Sequence, residues 1–116
     1  MSRIVPEKSG LSPVENVGSP IDWERLDHQA GGDGTLAREV LALFVIECDR
    51  ALETLTEGEA ALVHRLKGTA RSVGANAVAR ACEACEAQGC DAASLADLAE
   101  ALRDAAAAAR ERLASP

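Results

Sequence analysis

Four residues in one short segment have types and spacings that can do chemistry together. His64, Lys67, Gly68 and Arg71 stand at positions i, i+3, i+4 and i+7, which are neighbours on one side of an α-helix. An exposed imidazole is a nucleophile near neutral pH, because much of it is uncharged there. A lysine one turn away supplies a cation that can pair with phosphoryl oxygens. The spacing therefore predicts a nucleophile with a neighbouring cation on one side of a helix.

Gly68 stands where a helix would favour almost any other residue. Glycine inside a helix costs about 1 kcal/mol relative to alanine, and alanine is abundant elsewhere in this chain. A residue without a side chain allows another protein surface to approach the imidazole closely. We therefore interpret Gly68 as a residue that leaves space beside His64 for another protein surface.

Holding this polar stripe outward requires a helix whose opposite side is buried. Residues 59–73 have a helical pattern whose core-facing side is predicted to carry Leu62, Leu66, Thr69 and Val73. Residues 35–56 form a longer helical pattern with an apolar stripe of Leu36, Val40, Phe44, Cys48, Leu52 and Leu55. Since residues 41–46 are all apolar, we expect this helix to be buried on more than one side.

Three further segments complete the predicted fold. Asp22 can cap a short helix that ends before the glycine-rich run at residues 31–34. Residues 75–88 and 94–113 are also helical in pattern, the latter with Ser94 and Asp97 as a capping pair. Four substantial helices with short connections predict an all-α, up-down-up-down antiparallel four-helix bundle with a short extra N-terminal helix.

Composition sets the domain limits and excludes several classes of protein. Residues 1–20 hold three of the four prolines and are predicted to be a flexible tail, leaving residues 21–116 as the bundle domain. A net charge of −7 disfavours nucleic-acid binding. We expect no membrane partner and a cytoplasmic location, because neither a membrane-spanning run nor a signal peptide is evident. No glycine-rich nucleotide loop is present, so we infer no use of ATP.

The residues around His64 resemble a known signature. The motif His64-x-Leu66-Lys67-Gly68-x-Ala70, followed by Gly74-Ala75, is similar to that of the histidine phosphotransfer (HPt) domain family. The resemblance covers roughly residues 20 to 113 and includes Ile21-Asp22, Leu26, Gly31-Gly32-Asp33, the region 41–44 and the region 82–86. Thr69 stands where the family usually has a serine, which preserves a hydroxyl group.

The resemblance implies a role for each site residue. His64 would accept a phosphoryl group from an aspartyl phosphate and later donate it. Lys67 would stabilise the phosphoryl charge, and Gly68 would leave room for the partner. Glu86, on the next helix, would lie near the imidazole on the partner-binding surface. Arg71 is interpreted partly as a solvated surface residue and partly as a contact for an acidic partner.

The implied protein is a monomeric phosphoryl carrier without kinase activity. Its partners would be response-regulator receiver domains, including that of a hybrid histidine kinase. The receiver would bring Mg²⁺, so neither a cofactor nor a metal is expected on this chain. One alternative is a non-catalytic bundle that docks on and inhibits a receiver or a histidine kinase, although such an inhibitor does not need His64. Another is a helical adaptor in which the motif arises by chance.

The remaining candidate residues have ordinary structural interpretations. His28 has no matching cluster and is interpreted as a surface or core residue without a chemical role. Cys82 and Cys85 have a spacing found in zinc sites, but a second ligand pair is missing, so we interpret them as buried core residues. Cys90 lies at a helix break, where it could be an exposed thiol. Trp23 is expected to pack the short helix onto the bundle end, with docking on a partner as the alternative.

Overall fold

Five α-helices form the part of the chain that the structure, a computed structural model, describes: residues 19–55 and 60–115. They are α1 (Trp23–Gln29), α2 (Gly34–Thr54), α3 (Ala60–Val73), α4 (Asn76–Ala87) and α5 (Ala92–Ala114). The four longer helices make the antiparallel bundle, with α3 against α4, α2 against α5, and α4 against α5. The short helix α1 packs on α3 and α2. The all-α prediction is confirmed.

Aspartates begin three of the helices. The Asp22 carboxylate accepts a hydrogen bond from the Arg25 amide (3.2 Å), which confirms the predicted cap of α1. Asp33 caps α2 in the same way. The predicted Ser94–Asp97 capping pair is wrong, because Asp91 caps α5 by accepting from the Ser94 amide at 2.8 Å. Ser94 is therefore buried in the first turn of the helix rather than preceding it.

The core side of α2 differs from the predicted stripe. Its buried residues are Ala37, Leu41, Phe44, Cys48 and Ala51. The expected burial on more than one side is wrong: Leu36, Leu43 and Ile46 are 42%, 65% and 46% exposed. Two of the five buried residues are alanines, whereas these three larger apolar side chains on the other side remain in contact with solvent.

The core side of α3 is likewise rotated slightly from the prediction. Its buried residues are Val63, Leu66, Ala70 and Val73, whereas Leu62 and Thr69 are only half-buried at its edge. The shift follows from packing, because α3 makes its most extensive contacts with α4. The predicted end of the second helix at residue 56 and most of the predicted tail fall outside the described residues. Of the helices that are described, none is both long and apolar enough to cross a membrane.

The turn between α3 and α4 depends on Gly74. Its backbone has a φ of +82°, and its carbonyl oxygen accepts a hydrogen bond from the Asp22 amide at 2.7 Å. A Cβ atom at this position would lie 2.5 Å from the Asp22 carbonyl oxygen. The start of α1 is thus held directly against the end of the helix that carries His64.

Gly74→Ala should therefore destabilise the fold by about 3 kcal/mol, combining left-handed backbone strain with a backbone clash. Urea unfolding measures this loss. Gly89→Ala is the matched control, since Gly89 has a similar φ of +69° but open space around its Cβ position. The control should lose only about 1 kcal/mol. Equal losses of stability in the two variants would mean that the clash with the Asp22 carbonyl oxygen adds no cost at position 74.

Candidate functional site

His64 lies in the middle of α3 with its side chain 74% exposed. Gly68 and Arg71 are exposed on the same side of the helix, and the Lys67 side chain is 17% exposed. The opposite side is anchored by Val63 and Leu66, which are fully buried. The structure thus brings the four predicted residues together along one stripe, with the imidazole as its most exposed side chain.

Glu86 on α4 connects the two principal residues of this stripe. Its Oε2 atom lies 3.1 Å from Nδ1 of His64, and its Oε1 atom accepts a hydrogen bond from Nζ of Lys67 at 2.6 Å. An ionised carboxylate can only accept, so Nδ1 must carry the proton and donate. In the neutral ring, the lone pair is then on Nε2. The expected position of Glu86 beside the imidazole is confirmed.

The same contacts keep Glu86 ionised. The hydrogen bond from Lys67, and then that from His64, lower the pKa of the Glu86 carboxyl below its ordinary value. Because the pKa is lower in the folded state, the stability that this network contributes is complete above the unfolded-state pKa. It is lost as the pH falls through the lower, folded-state value. The carboxylate therefore holds the imidazole throughout the neutral range.

Arg71 continues the polar seam between α3 and α4. Its guanidinium forms an ion pair with Glu83, one turn before Glu86 on α4. Both side chains are about half exposed, so the pair contributes little to stability. Glu83 was not among the residues predicted from sequence, although its three-residue spacing from Glu86 was a signal for a second carboxylate on the same side of α4. A partner contact by Arg71 stays a prediction.

Open space surrounds the position of Gly68. A Cβ atom placed there would meet no atom within 4 Å outside its own helix backbone. Internal packing therefore does not require glycine at this position. Clearance for a partner surface beside the imidazole stays a prediction.

The other candidates fall outside this site. His28 is exposed on α1, and Trp23 packs against the core with the Arg112 guanidinium 4.5 Å from its ring centre. Cys82 and Cys85 are fully buried, as expected, whereas Cys90 is half-buried. Among the residues that the structure describes, no group of three His, Cys, Asp or Glu side chains could hold a metal ion.

Comparison with known proteins decides the family. The family model of the Hpt domain matches residues 39–112, which include His64 and Glu86. The chain belongs to the Hpt domain family. Among solved structures, it is similar to the histidine phosphotransferase ShpA from Caulobacter crescentus, with 37% identity and a TM-score of 0.66. That similarity covers 81% of this chain and 94% of the ShpA chain. A search of curated proteins gave no significant match.

Membership places the exposed histidine in a functional context. An Hpt domain is a phosphotransfer carrier module rather than a kinase, and in two-component signalling such domains interact with receiver domains. The resemblance read from the motif around His64 is confirmed at the level of the family. The roles of the individual site residues stay predictions.

Proposed function

We propose that this Hpt domain relays phosphoryl groups between response-regulator receiver domains, with His64 as the acceptor and donor. The observation that carries the proposal is the state of the imidazole. Its Nδ1 atom is held by the Glu86 carboxylate at 3.1 Å, while the side chain is 74% exposed. One ring nitrogen is thereby fixed as the proton carrier, and Nε2 is left as the nucleophile.

The transfer step follows from this geometry. Nε2 of His64 attacks the phosphorus of an aspartyl phosphate on the receiver, forming a P–N bond as the P–O bond to the aspartate breaks. The proton stays on Nδ1, and the positive charge that develops on the ring faces the Glu86 carboxylate. Phosphoryl transfer depends mainly on alignment and charge stabilisation, so a small exposed surface is sufficient. Donation to a second receiver is the reverse step, with Mg²⁺ supplied by the receiver.

Lys67 is the cation nearest to the transferred group. Its ammonium is already desolvated in part, because its side chain is 17% exposed and bonded to Glu86. A phosphoryl group on Nε2 would offer it stronger acceptor oxygens within one helical turn. We infer that Lys67 stabilises the phosphoryl charge either alongside Glu86 or in exchange for it.

Transfer from a receiver tests the proposal. A receiver domain from the same organism, carrying a labelled aspartyl phosphate, is mixed with the purified chain, and the label on each protein is followed over time. We expect the label to move to this chain in an acid-labile, base-stable form, as a phosphohistidine does. A second, unlabelled receiver should then recover it. Stable binding of receivers without transfer of label would instead support the inhibitory docking module.

Glu86→Ala should slow phosphoryl acceptance about tenfold, because the ring loses the partner that fixes its tautomer and orientation. The measurement is the initial rate of label transfer at saturating receiver. Glu83→Ala is the matched control: it removes a carboxylate from the same side of α4 but touches Arg71 rather than His64. Equal effects of the two variants would attribute the loss to surface charge and not to contact with the imidazole.

Lys67→Ala should slow transfer at least about tenfold, since a hydrogen bond to a charged group contributes about 1.5 kcal/mol or more. The helix should persist, because alanine is the best helix former. Arg65→Ala is the control for the change in net charge, because it removes an exposed cation two residues before Lys67 on α3. An unchanged rate for Lys67→Ala would show that the lysine takes no part in transfer.

A further inference from the structure

Two cysteines meet at the end of α4, outside the phosphotransfer chemistry. The helix ends at Ala87, and the chain turns back through Gly89 and Cys90, whose φ values are +69° and +56°. The Cys90 amide donates to the Cys85 carbonyl oxygen at 2.7 Å. This hydrogen bond spans six residues, which is the closing bond of a Schellman motif.

The motif itself brings the two side chains together. In a Schellman turn, the residue that donates this bond characteristically packs its side chain against the residue that accepts it. Both positions are usually apolar, but here both are thiols. Burial first, and then the neighbouring Cys90 thiol, raise the pKa of the Cys85 thiol. The backbone geometry of the helix end therefore places the two thiols beside each other.

The two thiols differ in their access to solvent. Cys85 is fully buried, and burial raises the pKa of its thiol, whereas Cys90 is half-buried. The other cysteines, Cys48 and Cys82, are fully buried, and burial raises the pKa of each to about 12. An oxidant in solution therefore meets Cys90 first, with Cys85 as the neighbouring thiol across the helix end.

We propose that Cys85 and Cys90 form an oxidisable dithiol site that reacts with a peroxide and closes to an intramolecular disulfide. The Cys90 sulfur attacks one peroxide oxygen, the O–O bond breaks, and Cys90 becomes a sulfenic acid as one water leaves. The Cys85 sulfur then attacks the Cys90 sulfur, the S–O bond breaks, and a second water leaves. Two thiols lose two electrons in total, and hydrogen peroxide is reduced to two waters.

The position of this pair couples it to the candidate functional site. Glu86, which binds both His64 and Lys67, directly follows Cys85 in the last turn of α4. A disulfide would tie that turn covalently to the α4–α5 connection. The proposed chemistry itself does not depend on phosphotransfer, and its test needs no receiver protein.

Thiol counting on the full-length native protein is the first measurement. The reduced chain should show four thiols in denaturant. After native treatment with hydrogen peroxide and removal of the oxidant, the count should fall to two, and a reductant should restore four. The protein should remain monomeric on a non-reducing gel. An unchanged count of four would overturn the proposal.

Peptide mapping then identifies the bond. Cleavage after Glu83 and Glu86 places Cys82, Cys85 and Cys90 in three different peptides. The oxidised protein should give the Cys85 and Cys90 peptides joined, and the two should separate on reduction. Linkage through Cys82, a dimer joined through Cys90, or Cys90 sulfinic acid without a linked peptide would each contradict the assignment.

Three variants complete the test. Cys82→Ala should keep the disulfide, while Cys85→Ala and Cys90→Ser should each abolish it. Because Cys90 is half-buried and lies outside the helices, Cys90→Ser should fold even if the substitution at buried Cys85 does not. Loss of two thiols in peroxide-treated Cys90→Ser would show that the reactive pair lies elsewhere.

Discussion

His64→Gln is expected to reduce phosphoryl acceptance to the background of the assay while leaving the fold intact. Glutamine fits a helix and has no nucleophilic nitrogen, so the acceptor is removed without a change in backbone preference. The side chain is 74% exposed and packs little, so stability should change by no more than about 0.5 kcal/mol. Label transfer from a phosphorylated receiver and a thermal melting curve measure the two effects.

The second histidine supplies the control for this experiment. His28 is exposed on α1, away from the seam between α3 and α4, and His28→Gln should accept label at the wild-type rate. Residual acceptance by His64→Gln would mean that another residue takes the phosphoryl group. The double variant would then show whether His28 is that residue.

The polar side of α3 could be predicted from sequence, whereas the exact core sides could not. His64, Gly68 and Arg71 share one side because helical spacing alone fixes their relation. The core side depends instead on which neighbours pack there, and alanines decide this as much as leucines do. Ala51 is buried while Leu43 is 65% exposed, an arrangement that an apolar periodicity cannot reveal.

Contacts between helices are a second feature that could not be predicted from the sequence alone. The position of Glu86 was expected only through the resemblance to the HPt signature, and nothing in its spacing from His64 indicates a hydrogen bond. The contact arises because α3 and α4 run antiparallel, with the tight turn at Gly74 setting their register. The same register places Glu83 opposite Arg71, a pairing that was not predicted from sequence.

Gly68 offers the sharpest test of the site, because stability and transfer should move in opposite directions. The position is helical and exposed, and a Cβ atom there would have no neighbouring atom within 4 Å outside its own helix backbone. A side chain here therefore has room, and replacing glycine should favour the helix, by up to about 1 kcal/mol for alanine and about half of that for glutamine. If stability alone governed this position, glycine would be a poor choice.

Gly68→Gln should accordingly melt no lower than wild type, yet transfer phosphoryl groups about a hundredfold more slowly. The glutamine side chain would stand one turn from His64 on the same exposed side, where the receiver must bring its aspartyl phosphate into line with Nε2, and misplacement by about 1 Å can cost a hundredfold in rate. Gly68→Ala, which adds only a methyl group, should stabilise the helix with a smaller loss of rate. Transfer by Gly68→Gln at the wild-type rate would show that close approach is not required at this surface. If the variant unfolds instead, Gly68 is needed for packing. That outcome would contradict the open space found around this position.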